Sequence, residues 1–563
     1  MKIDSAGAAL TLGVGAILIL AFFFVGLGAY DLSAPDEPRF ALVAREMLTD
    51  GHWILPHRNN QPYPDKPPLL FWLIAGCATL LNGGTVNAWT ARLPSALSAA
   101  WIVGLLWHWA HRTHGTRLVA NLTALTLMSC FLFIFEARMA QIDMLLCGLT
   151  TTALILGHQT LQGTRRHALA MGMCLGLGIL AKGPVGYLVP AGALLVYAFF
   201  KGDGTWRRYP VSALAWGLLP ALLWLGALLI MVMAGGQWDY FINLVFKQTV
   251  TRAFNPWHHM KPVYYFGTTL LYDFLPWTPL LLLALPWRKA QRRKLTDSQK
   301  LAWAALVFTL VFFSLSKGKR NIYILPAFPF AAYLAAARLA ELFAKERWSG
   351  IEKILTSLLA AALALGGGGM LLLAGEIIPL KINGIPDPPP LMAIGLAGAG
   401  ILACGILAAR GIWRNDAAWF TGGTVTGMML LVLAAYGAVL PWIGPYRSGR
   451  HFMEQAAAIM AAESEDPVVG MIQYRSAYRL YGNYPIVELA TEFGTPRPDL
   501  PKPMEFWRDH PDGWIIATYE YWLPTKTLHK IPHRIRLRQQ VGNRQPVLLV
   551  RLFSSEEKAR SAH

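Results

Sequence analysis

The sequence predicts a polytopic α-helical membrane protein that carries a small α/β domain at its C-terminal end. Of its 563 residues, 55% are hydrophobic and only 15% are charged, whereas soluble proteins carry about 25% charged residues. Apolar runs close to the ~20 residues that span a bilayer recur as far as residue 441. After that residue, short apolar runs alternate with polar stretches. These observations favour about thirteen transmembrane helices followed by a separate domain.

The apolar runs locate the individual spans. The predicted spans are residues 8–29, 90–110, 117–135, 143–161, 168–181, 184–200, 211–234, 264–286, 300–316, 321–343, 353–375, 391–410 and 418–441. The first run is longer than the hydrophobic region of a signal peptide, so we expect it to be retained as a signal anchor. The run from Pro68 to Leu81 has 14 residues, which is short for a span, and we expect it at the membrane interface.

The distribution of basic residues orients these spans. When the N-terminus is cytoplasmic, every cytoplasmic loop is short and basic, as the positive-inside rule requires. Those loops are residues 111–117, 163–168, 201–210, 287–300, 344–350 and 409–416. This topology accounts for much of the net charge of +18, and anionic lipid or phosphate partners are compatible with it. Nucleic acid is not expected as a partner, because no basic soluble domain is present. The first loop, residues 30–89, then lies on the external side.

The tail and the cysteines complete the architecture. Strand-like runs at 467–472, 513–520 and 547–553 alternate with helix-like stretches, which predicts an α/β domain over residues 444–563, following a membrane domain over residues 1–443. The tail has no catalytic motif, and a packing role is the simpler expectation. None of the five cysteines lies in the tail and no CxxC occurs. This pattern argues against a disulfide framework and against a cysteine metal site.

The first external loop concentrates charged residues that topology does not require. Asp36 and Glu37 follow the first span directly, and Asp65 and Lys66 close the loop before two prolines. The acids could simply begin a helix, because Asp and Glu are favoured in the first turn. Lys66 could likewise be a snorkelling lysine. The return of an acid and a base at the far end of one loop favours an active site, with Lys66 placed to meet a phosphate.

Further charges occur in the later external loops. Charged residues near membrane depth are costly and usually face a protein cavity. The candidates are Glu136, Arg138, Asp143, Lys182, Arg252, Lys317, Lys319 and Arg320, with Tyr323 close behind on the Arg320 face. The Lys319–Arg320 pair could clamp a phosphate. The adjacent pair His258 and His259 could bind zinc or magnesium together with Asp65, but two adjacent histidines are a weak metal signal.

Several of these segments together resemble a known family. The motifs DEPRF, YPDKPPLLFW, ARMAQIDMLL, LAKGPVGYLVP, RAFNPWHH and KGKRNIYILPAFP occur in this order between Asp36 and Pro329. They resemble the polyprenyl-phosphate-dependent GT-C glycosyltransferases, above all the lipid A 4-amino-4-deoxy-L-arabinose transferases, which are related to protein O-mannosyltransferases. The resemblance implies a GT-C membrane fold with an external α/β tail. It also implies an undecaprenyl-phosphate-linked sugar as donor and lipid A phosphate as acceptor at the outer face of the Gram-negative inner membrane, and we expect a monomer.

The resemblance also implies roles for individual residues. Asp36 matches the essential first-loop aspartate, with Arg39 and Asp143 on further cavity motifs. Lys66, Arg252 and Tyr323 match positions where the family contacts the carrier phosphate, and Lys182 matches a further cavity motif. We expect Lys182, Lys319 and Arg320 to bind the same phosphate. Where the family often has glutamate before the loop lysine, this chain has Asp65, which weakens a metal role. Cations around the leaving phosphate would stabilise its developing charge, and Asp36 would bind the ammonium of the sugar or orient the acceptor.

Two alternatives remain open from the sequence. The sugar could be mannose or galacturonic acid, transferred to protein or to another lipopolysaccharide site; with a Ser or Thr acceptor, Asp36 would act as a general base. A lipid or sugar transporter is disfavoured, because transporters usually place ionisable residues at mid-membrane depth, whereas here the charges collect in external loops.

Overall fold

The computed structural model describes most of the chain. The described residues are 13–202, 204–245, 260–286, 294–379, 382, 385–473, 475–490, 501–522, 530–542 and 546–554. The helices before residue 450 are Gly13–Phe24, Asp36–Asp50, Leu69–Leu81, Ala88–His114, Arg117–Met128, Phe131–Ala137, Ile142–Leu161, His167–Lys182, Val185–Lys201, Val211–Gly217, Leu219–Gly235, Trp238–Ile242, Tyr265–Asp273, Thr278–Ala284, Asp297–Leu315, Asn321–Ala327, Phe328–Phe343, Gly350–Ala374, Leu391–Arg414, Ala417–Ala434 and Leu440–Ser448.

The membrane part is a bundle of apolar helices, as the sequence predicts. Within the described residues, 8 helices are long and apolar enough to cross a membrane, or 9 if the helices Arg117–Met128 and Phe131–Ala137, bent by 67°, count as one. Four of the predicted spans correspond to shorter or broken helices: Gly13–Phe24, His167–Lys182, Val185–Lys201 and the pair Tyr265–Asp273 and Thr278–Ala284. Each predicted span thus has a helical counterpart, but the count of thirteen membrane crossings is not confirmed.

The first external loop begins with a 15-residue helix, Asp36–Asp50. Its apolar residues, among them Phe40 and Met47, are buried against the 13-residue helix Leu69–Leu81. That second helix is only about 20 Å long, too short to cross the ~30 Å hydrocarbon core. Gly51 ends the first helix with φ +75°, a left-handed conformation that glycine adopts without strain. The loop therefore forms a small layer that shares its apolar cluster with the bundle.

A tight hairpin joins these two helices. Strands β1 (His57–Arg58) and β2 (Gln61–Pro62) pair through Asn59 and Asn60, which have φ values of 57° and 58°. Positive φ at both central residues is typical of the type I′ turns that favour Asn. The carboxylate of Glu46 accepts hydrogen bonds from the backbone N–H groups of Asn59 at 2.8 Å and Asn60 at 3.1 Å. The hairpin is thereby fixed to the helix that begins at Asp36.

The tail forms an α/β domain. Its strands are β3 (Val469–Ile472), β4 (Ile486–Ala490), β5 (Trp514–Thr518), β6 (His533–Gln539) and β7 (Val547–Leu552), in the order β4-β3-β5-β7-β6. β3 is parallel to β4 and β5, whereas β7 is antiparallel to β5 and β6. Its helices are Arg450–Glu463, Ser476–Gly482, Pro501–Asp509 and Tyr519–Trp522. Trp514 and Ile516 face one apolar cluster and Ile515 and Ala517 face another, so both faces of the sheet are covered.

The tail contacts the first loop directly. Arg45 donates to the backbone carbonyls of Leu480 at 3.0 Å and Arg479 at 3.1 Å. Asn59 Nδ2 donates to the Ile486 carbonyl at 2.7 Å. The helix that begins with Asp36 is therefore held on one side by the membrane bundle and on the other by the α/β domain.

Candidate active site

Asp36 is the residue on which the charged side chains converge. It is 5% exposed and lies in the first turn of its helix without acting as an N-cap. Arg39, one turn along, forms an ion pair with Asp36 Oδ1. Arg320 donates from both terminal nitrogens to Asp36 Oδ2 at 3.1 Å each, and Gln141 Nε2 lies 3.3 Å from the same oxygen. Residues 284 positions apart in the chain are thus brought to one carboxylate.

The two guanidinium groups also determine the charge state of Asp36. Burial by itself raises the pKa of a carboxyl group because it disfavours the anion. Here Arg39 and Arg320, helped by the hydrogen bond from Gln141, outweigh burial and lower the pKa of Asp36 below its ordinary value. Asp36 is therefore a carboxylate at neutral pH. Two cations and an amide already surround it, so an incoming ammonium ion would compete with both arginines.

A second ion pair lies next to this cluster. Lys182, at the end of the helix His167–Lys182, pairs with Asp143 in the first turn of the helix Ile142–Leu161. The ammonium nitrogen of Lys182 also lies 4.2 Å from the ring centroid of Tyr323, within the range of a cation–π contact. The structure thus brings together six of the residues predicted for the site: Asp36, Arg39, Asp143, Lys182, Arg320 and Tyr323.

Two further residues lie in the same region: Gln141, which the sequence did not single out, and Glu136, which it named as a charged residue near membrane depth without giving it a role. Gln141 contacts Asp36 directly. Glu136 is 1% exposed, and its carboxyl group interacts electrostatically with Asp143, Arg320, Lys182 and Asp36. Glu136 lies in the last turn of the helix Phe131–Ala137, and Gln141 directly precedes the helix Ile142–Leu161 that carries Asp143. The signal for Glu136 was present, since it is an acid close to membrane depth, but nothing in the spacing of the motif linked it to Asp36.

Glu37 has an entirely different environment from Asp36. It is 0% exposed and pairs with Arg92 through two bonds of 2.8 Å. It also accepts hydrogen bonds from the backbone N–H groups of Ser33 at 2.8 Å and Ala140 at 2.7 Å. Arg92 donates in addition to the carbonyls of Leu27, Tyr30 and Asp31. This pair is structural, because its polar atoms join segments of the chain and are buried from any ligand.

Three other predicted residues lie in the described part of the chain. The Lys319 ammonium is buried and donates to the carbonyls of Lys261, at 3.1 Å, and Ser316. It thus closes its own loop, which leaves its predicted contact with a phosphate without structural support. Lys66 and Asp65 are both half-buried, and Asp65 is close enough to Arg39 to interact with it electrostatically. The role of Lys66 at the carrier phosphate stays a prediction.

The remaining candidates cannot be placed. Arg252, His258 and His259 lie outside the described residues. In the described ranges, no group of three or more His, Cys, Asp or Glu side chains could hold a metal ion. The weak zinc or magnesium site predicted from Asp65, His258 and His259 therefore stays a prediction. All five cysteines are free thiols.

The arrangement suits chemistry on a phosphate-linked substrate. Arginine binds phosphate and carboxylate through its planar fork, and lysine does so as a point charge. Arg39, Arg320 and Lys182 supply three cations, and the carboxylates of Asp36 and Asp143 hold them in fixed positions. Preorganised charges of this kind stabilise charge that develops during a reaction.

Comparisons with known proteins show which proteins this chain resembles. Residues 65–231 match the family model described as dolichyl-phosphate-mannose-protein mannosyltransferase. An undecaprenyl phosphate-α-4-amino-4-deoxy-L-arabinose arabinosyl transferase from Pseudomonas fluorescens is 30% identical over 55% of this chain and 56% of its own length. The corresponding transferase 1 from Sodalis glossinidius is 30% identical over 65% of this chain and 66% of its own length. The chain thus spans less than two thirds of these relatives.

The solved structures extend the likeness to the whole chain. The crystal structure of ArnT from Cupriavidus metallidurans bound to undecaprenyl phosphate matches 97% of this chain and 98% of its own, with a TM-score of 0.71 and 22% identity. This chain is similar in sequence to the aminoarabinose transferases and has the ArnT fold. The resemblance drawn from the sequence motifs is therefore confirmed. So is the fold class, a polytopic helical membrane domain with a small C-terminal α/β domain.

The ArnT fold explains why the charged residues converge. The DEPRF and ARMAQIDMLL motifs are far apart in the sequence, yet Gln141 from the second contacts Asp36 from the first. Arg320, from the KGKRNIYILPAFP motif, contacts the same carboxylate. Three of the motifs that carry the resemblance to the aminoarabinose transferases therefore meet at Asp36.

Proposed function

We propose that this protein is a glycosyltransferase that moves 4-amino-4-deoxy-L-arabinose from undecaprenyl phosphate to a phosphate of lipid A. The observation that carries the proposal is the convergence of Arg39, Arg320 and Gln141 on the buried carboxylate of Asp36. The names of the relatives support the donor. The basic cytoplasmic loops support an Asp36 cluster that faces the periplasm from the inner membrane.

The reaction would be a single displacement. An oxygen of the acceptor phosphate forms a bond to the anomeric carbon of the sugar. The bond between that carbon and the carrier phosphate breaks, and its electron pair leaves with undecaprenyl phosphate. The acceptor is already an anion at neutral pH and needs little help from a general base. The difficult part is the charge that accumulates on the leaving phosphate, and fixed cations nearby lower that barrier.

Each residue has a role in this proposal. Lys66 and Arg252 bind the carrier phosphate, and the Tyr323 hydroxyl, held near Lys182, donates to it. Arg39 and Arg320 hold Asp36 in its ionised form and in a fixed orientation. Asp36 then stabilises the positive charge that develops at the anomeric carbon, as carboxylates do in other glycosyl transfers. Asp143 fixes the position of Lys182.

The test is transfer by purified protein in detergent, with undecaprenyl-phosphate aminoarabinose as donor and lipid A as acceptor, read by mass spectrometry. We expect the wild-type protein to add one aminoarabinose mass to lipid A. Asp36→Asn should lower kcat about 100- to 1000-fold, the range for loss of one preorganised electrostatic group. Glu454→Gln, an exposed change in the tail, serves as the control and should keep wild-type activity. Full activity of Asp36→Asn would remove Asp36 from the mechanism.

A second candidate function follows from the family model. Its description names a protein mannosyltransferase with a polyprenyl-phosphate donor, so the acceptor could be a Ser or Thr hydroxyl. Asp36 would then have to act as a general base. Mass spectrometry of lipid A and of membrane proteins from a deletion strain distinguishes the two functions. Unchanged lipid A with altered protein glycosylation would overturn the lipid A proposal and favour the second candidate.

A further inference from the structure

Of the described acids near Asp36, not all form ion pairs with the cations of the site. Three acidic side chains lie in this region, Asp36, Glu136 and Asp143, together with three cations, on Arg39, Lys182 and Arg320. Asp36 forms ion pairs with Arg39 and Arg320, and Asp143 forms one with Lys182. Among the described residues, no ion pair is left for Glu136. It therefore differs from the other two acids, although it lies close to both.

Glu136 also has an unsatisfied atom. Its side chain is 1% exposed, and within the described part of the chain Oε2 has no hydrogen-bond partner. Buried polar atoms are nearly always hydrogen-bonded, and exceptions call for a ligand, a water or a functional reason. Leaving such an atom unpaired is costly, more so when the group is charged. The carboxyl group of Glu136 is thus positioned to accept a donor that the protein does not itself supply.

Glu136 is close in the chain to a residue that contacts Asp36. It occupies the last turn of the helix Phe131–Ala137, and five residues later Gln141 reaches Asp36. Its neighbouring residue Arg138 is fixed by the carbonyls of Phe22 and Val25. These bonds hold the side chain of Arg138, which begins the connection between the two helices two residues after Glu136.

We propose that Glu136 binds the ammonium group of the sugar and so makes the enzyme selective for an amino sugar. This inference rests on the proposed function, since it concerns the donor of that reaction. The donor carries a negative phosphate and a positive ammonium group. The cations of the site suit the first, and the buried carboxyl group of Glu136, whose Oε2 has no hydrogen-bond partner among the described residues, suits the second. This assignment replaces the expectation that Asp36 binds the ammonium, because Asp36 already has two cations.

The test compares two donors that differ in one charge. One is undecaprenyl-phosphate aminoarabinose, and the other is the same molecule with its amine N-formylated and therefore neutral. We expect wild-type protein to prefer the free amine in kcat/KM by about 10- to 100-fold, the equivalent of one charge-assisted hydrogen bond. In Glu136→Gln, kcat/KM for the free amine should fall by that factor while kcat/KM for the formylated donor stays the same or rises. The preference should then disappear.

Controls separate a contact with the sugar from a role in folding. Glu505→Gln removes an exposed carboxylate from the tail and should keep the preference. Glu136→Asp keeps the charge on a shorter arm and should retain a reduced preference. An equal loss with both donors in Glu136→Gln, or an unchanged preference, would overturn the proposal; the latter is expected if only water satisfies Oε2.

The wild-type measurement keeps the proposal testable even if the Glu136 variants do not fold. If wild-type protein uses both donors equally well, the inference about Glu136 is wrong and the proposed transfer stands. If it uses neither donor, the proposed function itself is wrong, and the inference falls with it.

Discussion

Asp36 and Glu37 are adjacent in the sequence, yet they belong to two different regions of the molecule. The partners of Glu37 are Arg92 and the backbone N–H groups of Ser33 and Ala140, and both side chains of its ion pair are 0% exposed. The partners of Asp36 are the ends of long side chains, and the Arg39 and Arg320 side chains are 24% and 34% exposed. One acid joins segments of the fold and the other remains within reach of a ligand.

The contrast shows how a motif can combine structure and chemistry in two neighbouring positions. Successive residues of a helix point about 100° apart, so Asp36 and Glu37 cannot share the same surroundings. Glu37 fixes the start of the helix to the bundle, which in turn fixes Asp36. We therefore expect changes around Glu37 to affect stability first and changes around Asp36 to affect activity first.

The largest expected effect is on the Glu37 side. Arg92→Met leaves the Glu37 carboxylate buried without its cation and should lower the free energy of unfolding by about 3–5 kcal/mol. The measurement is the midpoint of thermal unfolding in detergent. The double variant Glu37→Gln with Arg92→Met should recover part of the loss, because no buried charge remains. An unfolding midpoint equal to that of wild type in Arg92→Met would contradict the structural role.

The matched control is on the Asp36 side. Arg320→Met removes a cation that is partly exposed, and Asp36 keeps Arg39, so the unfolding midpoint should change much less than in Arg92→Met. The transfer rate, however, should fall, because Arg320 belongs to the site. If Arg320→Met lowered stability as much as Arg92→Met, the distinction between the two regions would fail.

The second prediction concerns the acid side of the pH–rate profile. The pKa of Asp36 is lowered because Arg39 and Arg320 outweigh its burial. Its ionised form and its ion pairs therefore persist as the pH falls, and they are lost only below the ordinary aspartate pKa of about 4. In Arg320→Gln, one cation fewer opposes the effect of burial, and the pKa of Asp36 should rise. The acid limb of the kcat/KM profile, which reports the ionisation of Asp36, should therefore move to higher pH.

The comparison must exclude titration of the substrates. The phosphate groups of donor and acceptor titrate identically with both proteins, so only the difference between the wild-type and Arg320→Gln profiles reports on Asp36. Glu454→Gln, with an exposed acid replaced, should reproduce the wild-type profile. Identical acid limbs in wild type and Arg320→Gln would show that Asp36 does not need to be ionised for the reaction.

The sequence predicted much of this fold because its signals are local. Apolar runs, short basic loops and the change of composition near residue 444 depend only on nearby residues. The preference for Asp36 over Glu37 came from the resemblance, and the contacts of the two acids now give it a physical reason. Which side chains pair with one another at the site was harder to predict from the sequence. Gln141 has no charge to distinguish it, and Lys319 looked like a phosphate ligand until its donors were seen to close a loop.

Arg92 illustrates the same limit. It lies inside an apolar helix, and a buried arginine there indicates an important partner. Which acid it pairs with depends on how helices 55 residues apart pack, and that information is not local. The role of Arg92 could be suspected from the sequence, but its partner could not be derived.

The smallest effect tests whether the tail belongs to the Asp36 region. Arg45, on the same helix as Asp36, donates to the carbonyls of Arg479 and Leu480 in the α/β domain. Arg45→Met should loosen this contact by about 1–3 kcal/mol, the range for hydrogen bonds of a charged donor. We expect the tail to become more susceptible to limited proteolysis and kcat to fall severalfold, because the Asp36 helix loses one of its two supports.

The control is a second contact in the tail, which is expected to contribute less to stability. Glu454→Gln removes an ion pair with Arg450 in which both side chains are more than half exposed, and such pairs contribute about 0–1 kcal/mol. Proteolysis and kcat should therefore stay at wild-type values. If Arg45→Met behaved like Glu454→Gln in both measurements, the α/β domain would contact the first loop without supporting the position of Asp36. If it lowered kcat, the tail would be part of what holds Asp36 against Arg320, and the catalytic unit would extend beyond the membrane bundle.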